Sequence, residues 1–160
     1  MTVVLVRHAI AEERRPGLRD AARRLTPEGR DKLARAARGL KRLGVVPDRI
    51  LTSPLVRAAE TAAVLAEVLA PALRPETCGP LAPGHTPQEV REALPEGART
   101  VVLVGHEPDL SDLASWLLTG STEGLRLPFR KAGAAAIELE GGEGTLRWML
   151  APRQLRALGR

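Results

Sequence analysis

Apolar residues fall along this chain in two rhythms. Residues 3–6 and 101–104 both read VVLV, unbroken runs of the kind found in strands buried on both faces of a parallel sheet, so both are predicted to be central strands. A helical rhythm follows the first run: Leu33, Ala36, Ala37, Leu40 and Leu43 repeat at three- and four-residue spacing. Thr26-Pro27 opens that helix as cap and first turn, and Gly44 supplies its left-handed stop. DRILT at 48–52 predicts a short strand, with Ser53-Pro54 again read as a cap and first turn, opening a helix to about Leu69. Thr86 and Glu89 have capping-box spacing and start a short helix, and a further helix is expected from about Pro108 to Thr119, ahead of Gly120. AAAIELE and TLRWML alternate around Gly141-Gly142, which predicts an antiparallel hairpin. Residues 11–24 are too polar for core and are read as a loop or loosely held lid, and Pro71, Pro75, Pro80 and Pro83 mark a long irregular segment.

This order of elements predicts an α/β fold, a three-layer α/β/α sandwich with a mostly parallel central sheet and one antiparallel strand. At 160 residues and 44% hydrophobic, the chain fits a single domain over 1–160. Cys78 is the lone cysteine and excludes an internal disulfide framework, while the opening MTVVLV lacks a basic leader. No apolar run approaches the roughly 20 residues of a membrane span, so the expectation is a cytoplasmic protein with no membrane partner. The net charge of +5 changes the picture only through its distribution: residues 1–60 hold fourteen Lys/Arg against seven Asp/Glu, so one part of the surface should attract anions. Two Trp, one Phe and no Tyr leave little to stack on bases, and no nucleic-acid partner is expected.

Candidate chemistry sits just past the two apolar runs. TVVLVRH and TVVLVGH end in His8 and His106, two of only three histidines. If both runs are parallel strands, both histidines lie at carboxyl ends, where ligands of open α/β sheets gather. Arg7 precedes His8, Arg57 lies in the first turn of a helix, and helix N-termini should face the same crevice. Guanidinium forks match phosphate oxygens, and an imidazole nitrogen can attack phosphorus. A histidine closing a buried strand is often only a structural hydrogen-bonder; the pairing and the two arginines favour chemistry. No cluster of metal-binding spacing joins them, so neither metal nor other cofactor is expected. His85, in a Pro/Gly-rich loop, reads as a surface residue.

Four segments, LVRHA at 5–9, LTPEG at 25–29, SPLVRAAET at 53–61 and LVGHEPDLSDL at 103–113, resemble the ordered motifs of the histidine phosphatase superfamily. KAGAAAIEL at 131–139 and the Trp148 to Pro152 spacing are similar to its small bacterial, SixA-like branch of phosphohistidine phosphatases. The resemblance implies a phosphoglycerate-mutase-like fold and a metal-free phosphatase. It implies His8 as the nucleophile, transiently phosphorylated, with Arg7, Arg57 and His106 holding the phosphoryl oxygens.

Two departures bear on mechanism. Ala9 stands where the family commonly has glycine, which puts the loop geometry in question. Larger members carry a glutamate acid in the region of PLAPGHT at 80–86, where this chain has none, as in the SixA-like branch; His85, Glu89 and Glu107 are left as possible donors. A phosphoramidate can arrive with its leaving nitrogen protonated and depends less on such an acid. The expected substrate is therefore phosphohistidine on a protein, such as a histidine phosphotransfer domain. The alternatives are a small phosphate ester and, in a different class, a non-catalytic anion-binding module.

Overall fold

The computed structural model describes residues 1–160. The two VVLV runs form β1 (Thr2–Arg7) and β4 (Thr100–Gly105), which pair in parallel at the centre of a six-stranded sheet. Beyond β4 the parallel sheet continues through β2 (Arg49–Thr52) and the two-residue β3 (Glu76–Thr77). On the other side, β5 (Ala134–Glu140) pairs antiparallel with β1, and β6 (Glu143–Leu150) closes the hairpin. The order is β3-β2-β4-β1-β5-β6, so β5 alone runs against the rest.

Each VVLV run serves two cores, which is why it does not alternate. Val4, Val6, Val102 and Val104 join a cluster with Leu33, Leu40 and Leu65, whereas Val3, Leu5, Val101 and Leu103 join Leu110, Leu113 and Leu117 on the other face. The first face is covered by α1 (Pro27–Arg42), α2 (Val56–Leu69) and α5 (Pro152–Leu158), the second by α3 (Pro87–Glu92) and α4 (Asp109–Thr119). The result is the three-layer α/β/α sandwich. No helix is long and apolar enough to cross a membrane.

Local signals hold where the cap is satisfied locally. Thr26 accepts from the Gly29 amide at 2.9 Å, and both bonds of the Thr86–Glu89 box are present. Gly44 (φ 81°) follows α1, and Gly141 and Gly142 (φ 54° and 91°) turn the hairpin. Leu43, counted with the apolar stripe, caps α1 and is 37% exposed.

Four elements differ from expectation. Ser53 does not cap α2, which starts at Val56 behind Leu55; its hydroxyl instead accepts from the Leu55 amide ahead of the helix and reaches the site described below. β3 adds a strand inside the proline-rich segment; two residues are too few for a periodic signal. α5 was not foreseen. It docks on α1 at Gly39, where a Cβ would come within 2.0 Å of the Leu155 carbonyl oxygen, and this close approach is invisible without the partner. Residues 11–24 are tied down rather than loose: Ala11 bridges to Leu25, Arg23 donates to the Glu12 carbonyl at 2.8 Å, and the Arg24 amide donates to the Glu12 carboxylate at 3.0 Å.

Candidate active site

Strand order brings the two histidines together. Arg7 is in register with Gly105, and the His8 amide donates to the Gly105 carbonyl at 3.0 Å, so the next residue of each strand leaves the sheet at the same place. The imidazole centroids of His8 and His106 lie 5.2 Å apart, and both residues are buried.

His8 Nδ1 lies 2.8 Å from the Ala9 carbonyl oxygen. A carbonyl only accepts, so Nδ1 carries the proton and Nε2 keeps its lone pair. Burial, helped by the charges of His106, Arg57 and Arg7 and opposed by the bond to Ala9, lowers the His8 pKa to about 3. The side chain is therefore neutral at physiological pH, with the Nε2 lone pair free of any proton. His106 is likewise lowered to about 4, chiefly by burial and then by Arg57.

The proton on His106 is set by a residue that the sequence hides. Ser53 Oγ lies 2.7 Å from His106 Nε2 and accepts from the Leu55 amide at 3.2 Å. The serine hydroxyl has no other acceptor in reach, so it donates to Nε2 and leaves Nδ1 of His106 as the N–H.

The two arginines are held by their terminal nitrogens. Arg7 Nη1 donates to the Phe129 carbonyl at 2.8 Å. Arg57, in the first turn of α2, donates through Nη1 to the Asp20 carbonyl at 2.8 Å and through Nη2 to the Asp20 carboxylate at 3.1 Å. Three buried polar atoms have no protein partner, and all belong to this set: Arg7 Nε, Arg57 Nε and His106 Nδ1. Orphaned buried donors are costly and rare, and three on neighbouring groups form a cradle for an anion.

Ala9 does not need the conformational freedom of glycine, since Ala132 is the only residue other than glycine with positive φ. Its methyl packs in the core, and its amide donates at 3.0 Å to Thr61 Oγ1, whose hydroxyl donates to the Arg57 carbonyl at 2.7 Å. The loop after His8 is thereby fastened to the helix that carries Arg57.

All four sequence-derived candidates, Arg7, His8, Arg57 and His106, thus converge. Of the three possible proton donors, Glu107 follows His106 in the chain; burial raises its pKa against its hydrogen bonds from Ser111 and the charge of Arg7. Glu89 closes the α3 capping box, and His85, exposed and with Nδ1 3.2 Å from the Glu89 carboxylate, lines a small cavity together with His106. No group of three or more His, Cys, Asp or Glu side chains is placed to hold a metal ion. Sequence reasoning missed Ser53, Asp20 and Thr61.

Residues 3–99 match the histidine phosphatase superfamily (branch 1), a span that includes Arg7, His8 and Arg57. The chain belongs to the histidine phosphatase superfamily. It is 31% identical to the phosphohistidine phosphatase SixA of Escherichia coli, with 98% of this chain and 97% of that protein aligned. An uncharacterised protein of Picosynechococcus sp. is 38% identical over 83% of this chain and 82% of its own. A solved structure of the protein histidine phosphatase SixA complexed with tungstate superposes with a TM-score of 0.85 at 27% identity, covering 97% of this chain and 99% of that one. Superfamily membership of the SixA-like branch makes the chain a phosphatase.

Proposed function

We propose that this protein hydrolyses phosphohistidine on a protein substrate through a phosphohistidine intermediate on His8. One observation carries the reading: the His8 Nε2 lone pair stands beside three buried, unpartnered donors, Arg7 Nε, Arg57 Nε and His106 Nδ1. In the first step His8 Nε2 bonds to phosphorus while the bond from phosphorus to the substrate imidazole breaks; the leaving nitrogen keeps that electron pair, and a proton already on the other ring nitrogen makes the leaving group a neutral imidazole. Water then attacks the phosphoryl group on His8, releasing inorganic phosphate and restoring the neutral imidazole. The protein's work is positioning and neutralisation of charge on the equatorial oxygens, which phosphoryl transfer chiefly requires. The tungstate held by the SixA relative is a tetrahedral oxyanion, and supports phosphate as the cradle's occupant.

A small phosphate ester is the second reading, and Glu107 is the observation that favours it. A half-buried carboxyl with a raised pKa beside the cradle is suited to protonating an alkoxide, which a phosphoramidate does not demand.

The test is trapping. Mixing with a histidine phosphotransfer domain labelled on its phosphohistidine, then quenching in alkali, should leave acid-labile label on the wild-type chain and none on His8→Ala. Turnover in the His8→Ala variant would overturn the mechanism, and a wild-type chain that binds phosphate without acquiring label would mark a binding module.

A further inference from the structure

On the α1 side of the cradle the surface opens into a groove of about 360 Å³. Arg7 and Ala9, the neighbours of His8, form its inner wall. Four more cations line it: Lys32 from α1, Arg130 and Lys131 from the loop ahead of β5, and Arg156 from α5. No acidic residue does. Lys32 bonds Glu28 one turn back at 2.6 Å, while no carboxylate lies within ion-pair reach of Arg130, Lys131 or Arg156.

Three separate elements thus bring cations to one concavity that shares Arg7 with the candidate active site. The loop carrying Arg130 and Lys131 is fixed there, because the Ala132 amide donates to the carbonyls of Arg7 and His8 at 3.0 and 3.2 Å. Arg130 and Lys131 are exposed and long, and Lys32 and Arg156 are half-buried. Among the lining charges only Arg7 is fixed by a side-chain hydrogen bond to the backbone, at the Phe129 carbonyl. Flexible, hydrated cations of this kind make a field that attracts and orients acidic surfaces rather than a closed socket for a metabolite.

We propose that this groove is a docking surface for acidic side chains that flank the phosphorylated histidine of a protein substrate. The proposal rests on the phosphoprotein reading above. It assigns the groove to substrate selection and leaves the bond-breaking step to the cradle.

Synthetic phosphohistidine peptides with Asp/Glu flanks or Ser/Gln flanks test it, with p-nitrophenyl phosphate as the flankless control. The wild-type chain should show kcat/KM about tenfold higher on the acidic peptide, carried by KM and shrinking as salt is raised. The K131E/R156E variant should lose that preference and keep its p-nitrophenyl phosphate turnover. Equal rates on the two peptides, or a preference that survives in K131E/R156E, would overturn the groove while leaving the phosphoprotein reading intact. A chain that turns over p-nitrophenyl phosphate but neither peptide would overturn both. A preference for a small bisphosphate over its monophosphate, abolished in K131E/R156E, would give the groove to a metabolite's second phosphate and overturn the docking proposal.

Discussion

Two neutral histidines buried together make the stability of this protein fall in mild acid. Both His8 and His106 have folded-state pKa values far below the ordinary histidine value of 6.5, at about 3 and about 4. At neutral pH the two states bind nearly equal numbers of protons at these sites. As pH falls through 6.5 the unfolded chain takes up two protons that the folded chain refuses, so unfolding becomes easier until the folded values are reached. Between pH 7 and pH 5 this linkage amounts to about 2 kcal/mol per histidine, roughly 4 kcal/mol in all. Urea denaturation at the two pH values measures the loss, and a His8→Gln/His106→Gln double variant isolates it from carboxylates that titrate in both proteins. The variant should lose about 4 kcal/mol less than wild type over that interval. If the two proteins lost the same amount, the histidines would not be held neutral in the fold and the nucleophile argument would lose its basis.

Arg57→Ala should cost about 3 kcal/mol in kcat/KM by removing a preorganised donor, and Arg57→Lys should recover only part, because an ammonium lacks the planar fork. Full activity in the Lys variant would argue against that contact. Ser53→Ala removes the donor that fixes the His106 tautomer; kcat should fall about tenfold with an intact circular-dichroism spectrum, by analogy with other orienting partners of histidine. An unchanged kcat would show that the His106 proton needs no such partner. Aryl phosphates should turn over roughly 10²–10⁴-fold faster than alkyl phosphates if no acid protonates the leaving group. Equal rates would show that an acid exists and favour a small-molecule substrate, and a selective loss of alkyl-ester activity in Glu107→Gln would assign that acid to Glu107.

The sequence by itself determined the parts of this protein that are settled within a few residues. Continuous VVLV runs required burial on both faces, and Thr26 and the Thr86–Glu89 pair capped their own helices. The equivalent places of His8 and His106 were legible because each closes such a run, and the register of β1 on β4 then set them side by side. What the tertiary structure decided are choices among partners distant in the chain. Ser53 beside Pro54 has every local reason to cap a helix, yet its hydroxyl goes to His106, 53 residues on, because β4 inserts next to β2. Asp20 is one acid in an arginine-rich stretch, and only the folding of residues 11–24 over α2 selects it for Arg57, 37 residues away. A seven-residue α5 has too few turns to announce itself and forms where Gly39 lets it rest on α1. Local pattern fixes backbone state through neighbours a turn or a strand-pair apart, whereas the pairing of a buried polar group is chosen by whichever partner the packed layers bring within about 3 Å.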